Sequence, residues 1–250
     1  MKPELLDTRD AERDRAVPVA LYRAQSDPSP LVLFSPGYGG NRDGYAYLAR
    51  QWAQNGLTVA VVEHVGSNGA ALAELKRAHG QNFPAAVVRE VQNPTETSHR
   101  VVDLQHVARL LDTGQPMGAG GHSYGSATAA DLARRERLAG LLLLSPSGSN
   151  CADLDLPVLS VTGTRDASPD GQGYEFRLQA YRSMRPGRKY LAVLRDADHM
   201  AFAGVGLHLG RFLPLLQRIT TRFWETTLMG EVDLQEEFLR LPSHVHWEAK

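Results

Sequence analysis

Ser123 stands between Gly121 and Gly125 in the stretch GGHSYGS. A serine hydroxyl becomes a nucleophile only when a base takes its proton, so a histidine must come within reach. Of nine histidines, His199 in LRDADHMAFAG follows the last strand-like run, and Gly204 and Gly206 downstream let its loop turn inward. His99 and His106 fall within a helical pattern. His244 and His246 lie in a polar tail without the carboxylates or cysteines that would make them a metal site. His122 adjoins the serine in a turn where neighbouring side chains point apart, and reads as a packing or supporting residue. A histidine base needs a carboxylate to hold its tautomer and stabilise its charged form. Asp166 in SVTGTRDASP follows the strand before the one that leads to His199. Asp170 is its rival, and a plain turn cap is the alternative role for Asp166. Asp196 and Asp198 are too close to His199 in sequence to face its ring. Asp153 and Asp155 precede their strand and belong to the other edge of the sheet. The expectation is Ser123 as nucleophile, His199 as base and Asp166 as acid.

Acyl transfer builds negative charge on a carbonyl oxygen, which two backbone N–H groups should meet. One belongs to Tyr124, the residue after the serine. The other belongs to the loop SPGYGGNRDGY, where three glycines in four positions exceed what a plain turn needs. Tyr38 is the expected donor, and its ring a wall of the acyl site.

These residues need a scaffold that brings them together. Apolar runs at Val17–Tyr22, Leu31–Ser35, Leu57–Glu63, Met117–Gly121, Leu138–Ser145, Leu156–Gly163 and Lys189–Asp196 read as strands. Helical patterns lie between them: YAYLARQWAQNG, PTETSHRVVDLQHVARLLDTG with Val101, Leu104, Val107, Ala108 and Leu111 on one face, YGSATAADLARRERL and GYEFRLQAYRSM. Leu209, Phe212, Leu213, Leu216, Phe223 and Leu228 form a further stripe, and Leu234, Phe238 and Leu241 a shorter one. Strands that are apolar throughout, alternating with helices, imply an α/β fold with a mostly parallel central sheet covered on both faces. In such a sheet the reactive groups collect at the carboxyl ends of the strands. Ser123 fits that place, on a strand-to-helix turn so sharp that side chains at 121 and 125 would collide. The chain reads as one domain, 1–250. Residues 64–93 make an unusually long connection: a lid, a substrate-binding excursion or a surface loop without a role. GAALAELKRAHG within it suits a short helix.

Composition excludes several classes. The chain has 250 residues, 42% of them hydrophobic, a formal charge of −1 and a single cysteine, Cys151. A near-neutral surface favours neither nucleic acid nor an anionic membrane as partner. One cysteine allows no intrachain disulfide and no paired-cysteine metal site. The charged first residues have no apolar core of a signal sequence, and no apolar run reaches the roughly 20 residues that span a bilayer. A cytoplasmic location is expected; the oligomeric state is not legible.

Together LVLFSPGYGGNRDGYAYLARQWAQNGLTVAVVEHVGSN, GGHSYGS, TGTRD and DADHMAF resemble the α/β-hydrolase superfamily. The likeness runs over about 31–204 and is greatest to its dienelactone-hydrolase-like, platelet-activating-factor-acetylhydrolase-like and cutinase-like serine esterases. The order Ser123, Asp166, His199 is the order of that superfamily. Dienelactone hydrolases carry cysteine where this chain has Ser123. The resemblance implies the α/β-hydrolase fold and the same site: Ser123, Asp166 and His199, with the N–H groups of Tyr38 and Tyr124 as the oxyanion hole. The expected activity is hydrolysis of a small-molecule ester with a small or medium acyl group, through an acyl-enzyme and without metal or cofactor. An acyltransferase, thioesterase or peptidase would use the same residues, and a non-catalytic ligand-binding protein would share only the fold.

Overall fold

A computed structural model describes residues 1–147, 150–168, 171–205, 209–230 and 234–250. Asp170 and Gly206 lie outside the described residues. The strands are β1 (Glu4–Asp10), β2 (Arg15–Tyr22), β3 (Leu31–Ser35), β4 (Thr58–Val62), β5 (Met117–His122), β6 (Gly140–Leu144), β7 (Val158–Arg165), β8 (Lys189–Asp198) and β9 (Val245–Ala249). The helices are α1 (Ala46–Gln54), α2 (Gly69–His79), α3 (Phe83–Val91), α4 (Pro94–Leu110), α5 (Tyr124–Ala133), α6 (Leu178–Ser183), α7 (Leu209–Trp224) and α8 (Leu234–Leu239). The strands form one sheet in the order β1-β2-β4-β3-β5-β6-β7-β8-β9. The six from β4 to β8 in that order run parallel; β1 and β2 at one edge and β9 at the other pair antiparallel. This is the mostly parallel α/β sheet that the apolar runs imply.

The parallel strands bury both faces, and alternate residues feed two cores. On β3, Val32 and Phe34 pack with Leu48 and Trp52 of α1 and with Phe223 and Trp224 of α7. Leu31 and Leu33 face Val101, Leu104 and Val107 of α4 and Ala129 of α5. The stripe read on α4 is thus its buried face. The strand order reverses about β3, and Ser35 at its end pairs with Gly121 near the end of β5. Loops leaving these two carboxyl ends therefore emerge side by side, where open α/β sheets form their crevice.

Three elements escape the sequence reading. β1 and β9 are edge strands, β1 mostly exposed and β9 exposed at every second residue, so they look polar, as edges commonly do. His246 accordingly lies in an edge strand and His244 in the turn before it, and His246 Nε2 lies 2.9 Å from Glu248 Oε1. In α3 only Ala86 is buried; its valines face a cavity, so no core-facing stripe marks it. The segment GYEFRLQAYRSM divides into a 3-10 turn, Tyr174–Arg177, and α6.

Trp224 is wholly buried, meets Trp52 edge-on at 5.9 Å, and covers Gly118 of β5. Trp224→Ala is expected to cost about 3–5 kcal/mol. Urea denaturation checks this; a loss below about 1 kcal/mol would mean that the two faces pack independently of this ring.

Candidate active site

Ser123 closes β5 and opens α5 with φ +54° and ψ −119°, a conformation that non-glycine residues rarely hold. A methyl on Gly121 would strike the Gly125 carbonyl, and one on Gly125 would strike the carbonyls of Ser35 and Pro36. The two glycines thus let β5, α5 and the end of β3 approach closely enough to hold the turn. The Ser123 N–H donates to the Leu144 carbonyl at 2.9 Å, and its own carbonyl accepts from Ser126 Oγ at 2.6 Å. The hydroxyl is left facing outward.

His199 begins the 3-10 turn after β8, whose first turn is capped by Asp198 through a 2.9 Å bond from the Ala201 N–H. Its Nε2 is 3.0 Å from Ser123 Oγ, and its Nδ1 is 2.8 Å from Asp166 Oδ1. Asp166 is fully buried, and its other oxygen accepts from Thr162 Oγ1 at 2.9 Å. Burial by itself would raise its pKa. The hydrogen bond from His199 and the charge of Arg177, 3.2 Å away, outweigh it and hold the carboxyl below its ordinary value. With the proton on Nδ1, Nε2 is left to accept from the serine. The three expected residues therefore meet, although 76 residues separate Ser123 from His199. The other aspartates lie elsewhere: Asp196 faces Arg165 and Arg211, and Asp153 pairs with Arg134.

Neither the Tyr38 nor the Tyr124 N–H has an intramolecular acceptor among the described residues, whereas their neighbours do. Gly37 N–H donates to Tyr45 Oη, Gly39 N–H to Ser67 O and Gly40 N–H to Gly37 O. The Tyr124 N–H belongs to the first turn of α5, where helical donors have no partner of their own. The rings of Tyr38 and Tyr124 stand 6.5 Å apart, and both line the cavity over Ser123.

Several supporting residues are not apparent from the sequence. Tyr45 donates to His122 Nδ1 at 2.8 Å, and His122 Nε2–H donates to the His199 carbonyl at 3.1 Å. The supporting reading of His122 thus takes a definite form, a strut between the β3 loop and the backbone of His199. Ser145, at φ +49° after β6, puts its hydroxyl 2.7 Å from His199 Nδ1 and hydrogen-bonds Asp166 as well. Arg177 reaches the carbonyls of Ser145, Pro146, Asp166 and Ala167, tying the ends of β6 and β7 together. Beneath the β3 loop, Ser35 Oγ donates to His64 Nε2 and His64 Nδ1–H to Asp103, which Arg13 and Arg15 also bind. The one sequence signal for this layer is a charged residue, Arg100, on the apolar stripe of α4.

The cavity over Ser123 measures about 740 Å³. Residues 64–93 fold as α2 and α3, and Leu72, Phe83, Val87, Val88 and Val91 supply its apolar wall. A cleft of about 770 Å³ opens at the opposite ends of the strands, among Arg109, Asp112, Glu136 and Arg137. It holds no serine–histidine pair, so chemistry rather than size distinguishes the two. No helix among the described residues is long and apolar enough to cross a membrane.

Burial keeps His122 and His64 neutral: it drives His122 well below its ordinary value of 6.5 and His64 down to about 3. Below pH 6.5 the unfolded chain takes up protons that the folded one refuses, so this part of the stability is complete above that pH and lost as pH falls. Between pH 6 and 5 the loss is expected to approach about 1.4 kcal/mol per pH unit for each histidine. Urea midpoints across that range test it, and His122→Gln should remove roughly half of the slope. An unchanged slope in the variant would contradict a neutral His122.

The sequence profile of the family described as platelet-activating factor acetylhydrolase, isoform II, matches residues 16–109. That stretch takes in the β3 loop and Arg100 but ends before Ser123. A comparison with curated proteins found no significant match. Among solved structures, a ferulic acid esterase from Streptomyces cinnamoneus is similar at TM-score 0.72 and 21% identity, over 97% of this chain and 94% of that one. A dienelactone hydrolase from Anabaena variabilis is similar at TM-score 0.60 and 17% identity, over 91% and 100%. An alpha-beta serine hydrolase homologue from Coxiella burnetii is similar at TM-score 0.62 and 18% identity, over 87% and 97%. By its strand order and these likenesses, the chain has the α/β-hydrolase fold.

Proposed function

We propose that the protein is a serine ester hydrolase of the carboxylesterase type, acting through an acyl-enzyme on an uncharged ester with a small or medium acyl group. The observation that carries this reading is the unbroken series Ser123 Oγ, His199 Nε2, His199 Nδ1 and Asp166 Oδ1, with steps of 3.0 and 2.8 Å at its two hydrogen bonds. In the proposed reaction His199 takes the Ser123 proton as the oxygen attacks the ester carbonyl. Asp166 holds the ring and stabilises the imidazolium. The Tyr38 and Tyr124 N–H groups receive the oxyanion. His199 then protonates the leaving alcohol, and next deprotonates the water that releases the acid. Arg177, the cationic side chain that lines the cavity, is engaged with Asp166, as is the imidazole of His199. The remaining wall is largely aliphatic and aromatic, which favours an uncharged acyl group. The family and structural likenesses to esterases agree with this reading.

Hydrolysis of p-nitrophenyl esters, from acetate to long acyl chains, tests it. Ser123→Ala is expected to lose turnover on the order of a million-fold; an equally active variant would remove Ser123 from the mechanism. The optimum chain length reports the depth of the cavity. Val87→Trp should shift it to shorter acyl groups, and an unmoved optimum would exclude α3 as the acyl wall.

A further inference from the structure

We infer that Arg100 is a positioning residue of the oxyanion hole, which it serves by holding an unneutralised buried charge behind the two donors. The inference rests on the ester hydrolase reading above.

Arg100 lies on α4 with 1% of its surface exposed. Its Nη2 donates to the Pro36 carbonyl at 2.5 Å and to Ser35 Oγ at 3.0 Å. Its Nη1 donates to Ser67 Oγ at 2.7 Å, and its Nε to Thr128 Oγ1 at 2.9 Å. The guanidinium carbon stands 4.4 Å from the centre of the Tyr124 ring. Every one of these partners is neutral, and among the described residues Arg100 makes no ion pair. The carboxylates that feel its charge, Glu96 and Asp103, do so at longer range. Asp103 is already bound by Arg13, Arg15 and His64, and Glu96 lies 3.9 Å from Arg15.

A buried cation without a counter-ion is costly and needs a reason. Burial lowers the Arg100 pKa to about 10, which still leaves it charged at neutral pH. Its surroundings supply the reason. The Pro36 carbonyl it grips is one peptide before the Gly37–Tyr38 peptide that bears one proposed donor. The ring it covers belongs to Tyr124, which bears the other. A neutral ester gains little from this charge, whereas the anionic tetrahedral state gains much in a site of low dielectric. The effect should therefore fall on kcat and spare KM.

The test compares wild type, Arg100→Gln, Arg100→Lys and the double variant Ser67→Ala/Thr128→Val, which keeps the charge but removes two of its hydrogen bonds. Stoichiometric labelling by a phosphonate ester counts competent sites. Rates with a p-nitrophenyl ester give kcat and KM, and an alkyl boronic acid, whose serine adduct is a tetrahedral anion, probes the charged state. Arg100→Gln is expected to lose about ten- to a hundredfold in kcat, with KM within about threefold and boronate affinity falling in parallel. Arg100→Lys and the double variant should stay within about fivefold in kcat. Wild-type kcat in a fully titrating Arg100→Gln would overturn the inference, as would an equal loss in the double variant. If Arg100→Gln does not fold, Arg100→Lys decides: kcat within about fivefold supports the charge, and a larger loss overturns it. Failure of the underlying reading shows separately, in a wild type that neither labels at Ser123 nor turns over any ester, and it overturns this inference as well.

Discussion

The structure depends on one close approach of backbones. At the reversal of strand order, β5 turns into α5 with Gly121 against Gly125, and Gly125 against the carbonyls of Ser35 and Pro36. No side chain fits between them. This contact keeps Ser123 in its strained conformation, with the serine hydroxyl outward and the first turn of α5 beside the β3 loop. Elsewhere a turn at φ +54° would relax. Here a two-sided core holds it, because the strand before it and the helix after it are each buried in the sheet assembly.

Around that contact the loops are tied by buried polar groups. His122 and Tyr45 link the β3 loop to the backbone of His199. Arg177 links the ends of β6 and β7. Arg100 links the β3 loop, the start of the 64–93 excursion and α5. Each polar group costs free energy to bury unless it is hydrogen-bonded, and each of these makes several bonds. Such ties suit the carboxyl ends of parallel strands, where loops carry little apolar area of their own and buried hydrogen bonds fix their geometry instead. The apolar surface is spent instead on the 64–93 excursion. It buries little in the core and turns its leucine and valines toward the space above Ser123.

Ser123, His199, Asp166 and the β3 loop were legible as candidates because each announces itself locally. Serine between glycines, histidine and aspartate just past apolar runs, and a glycine-rich turn are short-range signals. So were the strands and helices whose faces meet the core, since burial imposes a period of 2 or 3.6 on them. β1, β9 and α3 were not, because edge strands and a cavity-lining helix lack that pattern. The struts were illegible for another reason. Tyr45, Ser145 and Arg177 have no motif, and their partners are carbonyls and rings supplied by distant segments.

The amino-acid sequence by itself determined the alternation of strand and helix, the sharp turn at Ser123, and the chain order of serine, aspartate and histidine. These follow from local sterics and from hydrophobic periodicity. Only the tertiary structure decided that the three meet at 3.0 and 2.8 Å, that the Tyr38 and Tyr124 N–H groups have no acceptor among the described residues, and that Arg100 is buried among neutral acceptors. Those are relations between segments far apart in the chain. They are set by strand order and by which backbones can approach, and no local pattern encodes a distance between loops.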